Sequence, residues 1–133
     1  MTLEQIVEWL KQFLPDGCGI AAGHIDGNAD KFVGVYNARR PGKQRICLGG
    51  AANTKYQEKK ISILIHYTDD AVEAEAAAQA LWNHLYGKTR IDMGDTRVQF
   101  IDPGAAIVPV GRDARGIAEY VIEATIYHER TES

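Results

Sequence analysis

Cysteine is scarce: 133 residues contain two, Cys18 and Cys47, with no Cys-x-x-Cys and no histidine at zinc-finger spacing. The chain therefore has neither a zinc-ribbon pattern nor a disulfide framework. The two thiols read as reduced and partly buried, with nothing that demands their pairing. An excess of one charge is lacking as well. Fifteen Lys and Arg stand against 18 Asp and Glu, a net charge of −3, which argues against a dedicated nucleic-acid binder. No apolar run approaches the roughly 20 residues of a membrane-spanning helix. Met1-Thr2-Leu3-Glu4-Gln5 has neither the basic nor the apolar region of a secretion signal, so synthesis in a cytoplasm is expected. Repeats and low-complexity segments are missing too. What is present, 45% hydrophobic and 25% charged residues, fits a single domain over residues 1–133 that buries about two-thirds of its surface on folding.

The pattern opens on an amphipathic helix. Thr2 and Gln5 have the spacing of a capping box, and Leu3, Ile6, Val7, Leu10, Phe13 and Leu14 repeat at steps of three and four. Pro15-Asp16-Gly17 ends it. Trp9 lies off the stripe and is expected to fold over the core edge. Gly19 to Ile25 and Lys31 to Tyr36 flank the turn-forming Asp26-Gly27-Asn28 and predict a hairpin. Asn37 to Lys43 reads as an exposed basic loop, Arg45 to Leu48 as a short strand, and Gly49 to Asn53 as a turn.

Lys60 to Tyr67 is the strongest strand, with Ile61, Ile63, Ile65 and Tyr67 on one face and Leu64 on the other, so it is expected at the centre of a sheet. A second helix of close to 18 residues follows, capped by Thr68 or Asp69. The acids Asp69, Asp70, Glu73 and Glu75 sit at its start, and Ala74, Ala77, Ala78, Leu81 and Leu85 form its stripe. Thr96 to Ile101, Ala105 to Val110 and Ile117 to Glu129 read as strands, and the polar tail Arg130 to Ser133 is expected to fray. This order is not a βαβ alternation. It predicts an α+β domain, with a mostly antiparallel sheet of about five to six strands and two main helices on one face.

The sequence carries no recognisable catalytic pattern. Neither serine, Ser62 or Ser133, has the exposed turn and partner base of a nucleophile, and Cys18 and Cys47 lie at ordinary strand edges. His24, His66, His84 and His128 are isolated in sequence. His66 and His128 fall near strand ends and could meet across a sheet, with Asp69 or Glu129 completing a metal site. Half-solvated strand-end imidazoles are the plainer expectation. The acids of the second helix are accounted for by capping and the helix dipole. Gly49-Gly50-Ala51-Ala52-Asn53-Thr54 lacks the G-x-x-x-x-G-K-[ST] pattern of a phosphate loop and precedes a strand rather than a helix. No catalytic, cofactor-binding or metal residue is assigned. The candidate interaction residues are those of two loops: Arg39, Arg40, Lys43 and Arg45 in the first, and Arg112, Asp113 and Arg115 in the second.

Two stretches carry a family likeness. Gly49 to Tyr67, G-G-A-A-N-T-K-Y-Q-E-K-K-I-S-I-L-I-H-Y, and Pro109 to Ile122, P-V-G-R-D-A-R-G-I-A-E-Y-V-I, resemble the minor capsid proteins of tailed-phage and prophage head–tail modules, as does the acidic entry to the alanine-rich helix. The likeness spans roughly residues 45 to 129. It implies a tail-completion or tail-terminator protein: a small α+β subunit, non-enzymatic, assembling into a ring that is often a hexamer. Such a ring caps the tail tube, meets the head connector at the head–tail junction of the virion, and lets genomic DNA pass through without reading its sequence. The likeness implies no cofactor, membrane or small-molecule substrate.

Two other readings remain open beside it. One is a ligand-binding or regulatory α+β domain with a pocket on the mixed outer face of Ile117 to Glu129. The other is a small metal-dependent enzyme using His66 and His128.

Overall fold

The computed structural model describes residues 1–38 and 56–129. Thr2 caps helix α1 (Leu3–Leu10), and both halves of the capping box are formed: Thr2 Oγ1 accepts from the Gln5 amide while the Gln5 side chain accepts from the Thr2 amide. A 3-10 turn (Lys11–Phe13) follows. Among the described residues seven strands then form one sheet: β1 (Gly19–Ala22), β2 (Lys31–Asn37), β3 (Tyr56–Tyr67), β4 (Thr89–Met93), β5 (Thr96–Asp102), β6 (Val108–Arg112) and β7 (Ala118–Glu129). Helix α2 (Ala71–Leu85) sits between β3 and β4 in the chain. The fold is α+β, as expected.

The strands lie in the order β1-β2-β3-β7-β5-β4, with β6 beside β7. β3 and β7 form the spine, paired antiparallel from Tyr56↔Glu129 to His66↔Glu119. β5 and β6 share the other side of β7: β5 pairs with its second half and β6 with its first. One pair departs from expectation. β1 and β2 are parallel and not a hairpin, Gly19↔Phe32 through Ala22↔Val35. Asp26-Gly27-Asn28 does turn, with the Asn28 amide donating to Asp26 Oδ1, but within a connection that returns to the starting end of β1. Because β1 has only four residues, residues 23–30 suffice for a crossover that normally needs a dozen or more. The sheet is therefore mixed.

That connection crosses the outer face of the sheet, the face away from the helices, and Gly34 makes room for it. A Cβ on Gly34 would lie 2.5 Å from Ile25 Cγ2, 2.8 Å from Tyr36 Cε2 and 3.1 Å from the His24 carbonyl. Gly19 plays the same part for the Phe32 ring, 2.6 Å from where its Cβ would be.

The inner face carries the core. Alternation places Ile61, Ile63 and Ile65 of β3 beside Ile122, Ala124 and Ile126 of β7, all buried. α2 lays Ala74, Ala78, Leu81 and Leu85 on this spine, and the alanines let its backbone approach closely. Asp70, rather than Thr68 or Asp69, is the N-cap, accepting from the Val72 and Glu73 amides. The sheet curls enough that α1 touches β1 and β2 on one flank and β4 on the other. Gln5 ties that closure, donating to Asp95 Oδ1 at 2.7 Å and accepting from Thr96 Oγ1. Trp9 covers the core edge, packed edge-on against Phe13 at 4.8 Å.

β4 is a strand the hydrophobic pattern did not announce. It pairs with β5 across Gly94-Asp95, a two-residue turn that Gly94 opens at φ 63°.

Candidate interaction surfaces

Of the seven interaction residues expected from the sequence, Arg39, Arg40, Lys43 and Arg45 lie outside the described residues, as do Cys47 and the Gly49–Asn53 turn. The other three gather at one end of the sheet. Asp113 Oδ1 accepts from the Arg115 and Ile117 amides, which folds residues 111–117 into a tight loop. Its carboxyl is held below the ordinary carboxylate value. The Ile117 amide is the largest cause, opposed by burial and aided by the Arg115 amide and the charges of His66 and Arg115. Arg112 donates to the carbonyls of Asp69 and Gly116, and Arg115 donates to the Gly27 carbonyl and to Asp30 Oδ1. These residues clasp the β6–β7 loop to the start of α2 and to the β1–β2 crossover.

His66 lies under the clasp and is fully buried, not half-solvated. Nδ1 is 3.1 Å from Glu119 Oε2 and 3.7 Å from Asp113 Oδ2, while Nε2 is 3.0 Å from the Ala29 carbonyl. Sequence spacing could not reveal this pairing, because Glu119 is 53 residues away.

His128 is buried at the opposite end of the spine. Its cross-strand neighbour is Gln57, nine residues along β3 from His66, a separation of about 30 Å. The two histidines cannot share a metal. No cluster of three potential metal ligands occurs among the described residues.

Burial pushes the His128 imidazole below its ordinary value. The hydrogen bond to the Glu129 carbonyl opposes that shift, and the N-terminal amine and Lys59 reinforce it. The unfolded chain therefore takes up the proton more readily than the folded one. His128 contributes stability above about pH 6.5, and that contribution is lost as the pH falls through its lowered folded value. His128→Gln is expected to flatten the dependence of unfolding free energy on pH below this point, measured by urea titration at a series of pH values. An unchanged slope would contradict the assignment.

A concave apolar groove does exist, but not on the outer face of residues 117–129. It runs between the end of α1 and α2, encloses about 380 Å³, and is floored by Val33, Ile65 and Tyr67 with Phe13, Leu81 and His84 on its walls. His84 stacks on Phe13 at 4.6 Å. Cys18 opens onto the groove, its thiol pushed up chiefly by burial and pulled back by Lys31.

Two further surfaces were not legible in the sequence. β6 has no strand on its far side among the described residues, and all five of its residues are exposed, with Val108 and Val110 more than half so. Beyond the C-terminal end of α2, an open groove of about 710 Å³ is lined by Tyr86, Lys88, Arg90, Gln99, Phe100 and Asp102. Its aromatics are braced from behind: Tyr86 stacks on Trp82 at 5.1 Å, and Phe100 on Tyr127 at 4.3 Å. Trp82 is fixed in turn by donating to the Pro103 carbonyl. Arg90 holds φ at 52°, an uncommon conformation for a residue with a side chain. No protein-family model matches the chain, and no curated protein matches it.

Proposed function

We propose that this chain is a ring-forming structural subunit of the tail-completion kind, seated where the head of a tailed phage meets its tail. The likeness of Gly49–Tyr67 and Pro109–Ile122 to phage head–tail proteins supports this reading. The observation that carries it is the flank of β6, which no other strand covers among the described residues. An edge strand presenting Val108 and Val110 to solvent is a liability for a monomer and an asset for a subunit. Pro109 lacks an amide hydrogen, so the contact it favours is between side chains, not a continuous ladder. The α1–α2 groove lies on the helix side, so one subunit carries two unlike apolar surfaces. Unlike surfaces give head-to-tail association, which closes into a ring when the rotation allows. In this reading the partners are further copies, the tail tube and the head connector, and the place of action is the virion.

Light scattering followed by electron microscopy, on the protein alone and mixed with its tail tube protein, tests this. A closed ring with an axial hole is expected. A protein that stays monomeric in both samples would overturn it. A second reading follows from the groove, which could hold a small apolar ligand. Native mass spectrometry of the purified protein tests that, and an unliganded mass alone would reject it.

A further inference from the structure

The two most exposed large apolar side chains among the described residues stand at opposite ends of one helix. Val72, 78% exposed, is in the first turn of α2, and Tyr86, 66% exposed, caps its last turn. The 15 residues between Ala71 and Leu85 set these ends about 22 Å apart. The residues next to each in the chain carry opposite charge, although at the acidic end Arg112 holds the Asp69 carbonyl and Lys31 pairs with Glu73. Asp69 and Asp70 precede Val72, and Glu75 shares its helix face three residues on. Lys88 and Arg90 line the groove beside Tyr86. Neither Asp69, Glu75 nor Arg90 forms an ion pair with another described residue, and Lys88 spans 5.5 Å to the Phe13 ring. The acid within the groove, Asp102, turns one oxygen to the Gly104 amide.

From this complementarity we infer that the groove at the end of α2 receives the start of α2 from a second copy of the chain. Val72 seats between Tyr86 and Phe100, while Glu75 and Asp69 face Arg90 and Lys88. The inference rests on the ring-subunit reading and adds a contact at the two ends of α2 to the β6 and α1–α2 surfaces. A knob and a socket on one subunit cannot satisfy each other across the helix that separates them. They join neighbours head to tail, and each added copy exposes one new socket or knob. Opposed charges set the register and speed the encounter, while the aromatic seat supplies the buried contact.

Charge exchange tests it. Glu75→Arg alone and Arg90→Glu alone are each expected to weaken self-association about tenfold or more in sedimentation velocity. The double variant is expected to return to near the parent value, because each substituted residue then meets its new complement. Mixing the two single variants is expected to restore assembly too, in alternation. All substituted positions are exposed, and unchanged thermal midpoints confirm folding. Single variants that assemble like the parent, or a double variant as weak as the singles, overturn the inference while leaving the ring reading intact. A parent chain that is monomeric with and without tail tube overturns both. Binding of a single-stranded oligonucleotide that Arg90→Glu abolishes while assembly is unchanged would assign the groove to nucleic acid and also overturn it.

Discussion

Replacing His66 by alanine is expected to lower the unfolding free energy by about 3 kcal/mol. The ring is fully buried and serves acceptors on both sides, the Glu119 carboxyl at 3.1 Å and the Ala29 carbonyl at 3.0 Å. A backbone carbonyl can only accept, so Nε2 donates to Ala29. Without the imidazole this carbonyl is orphaned, a cavity opens, and the Glu119 and Asp113 carboxyls lose the group between them. Each loss has the same sign. The effect is expected to be local as well as global, with faster amide exchange at residues 23–30 and 111–117, the two segments the ring pins together. Adding Glu119→Gln to His66→Ala should recover part of the loss, because it removes a stranded charge. Chemical denaturation of the two variants measures this. A loss below about 1 kcal/mol would mean that the clasp holds without its histidine.

Gly34→Ala is the second large effect, about 2 kcal/mol of destabilisation. Glycine is ordinarily a weak strand residue, so alanine there would help if space allowed. Space does not allow, because the new methyl would meet Ile25 and Tyr36 at 2.5 and 2.8 Å and the His24 carbonyl at 3.1 Å. The side chains can shift by turning, but the backbone oxygen moves only with the crossover. Gly27→Ala is the control: nothing lies within 4 Å of its added Cβ, and a small gain or no change is expected. Equal midpoints for both variants in thermal unfolding would contradict the packing of residues 23–30 on the outer face.

These two positions also mark how far the sequence could be read. Local signals spoke plainly. The Thr2–Gln5 box, the alanine face of α2 and the alternation in β3 and β7 each specify an element from neighbouring residues, and each stands in the structure. Partner choice is written differently. The alternation in Gly19–Ala22 and Lys31–Asn37 is the same for a hairpin and a parallel crossover; what admits the crossover is room on the outer face for residues 23–30, which Gly34 supplies. β4 is short and charged, with Ile91 and Met93 as its only apolar residues, yet the adjacent Gly94-Asp95 pair was a readable hairpin signal.

The candidate surfaces were less legible still. Arg112, Asp113 and Arg115 stood out as a basic turn, but their partners Asp69, Gly27 and Asp30 lie 43 to 88 residues away. The Tyr86–Phe100 groove joins a helix end to a strand face, and no periodicity links the two.

The β3–β7 spine has a consequence for the chain as it is made. Fifty residues separate the last of β3 from the first of β7. At roughly 5–20 residues per second, a ribosome delivers β7 on the order of 3–12 s after β3. β1 and β2 precede that interval and α2 is made early in it, so the isoleucine face can be covered, but the flank of β3 that will hold β7 has no strand to pair with. The centre of the finished sheet is thus an open border of the nascent one. Protecting that border during translation, by a chaperone or by fast closure of the β4–β5 hairpin and the strands after it, bears on yield as much as the final stability does.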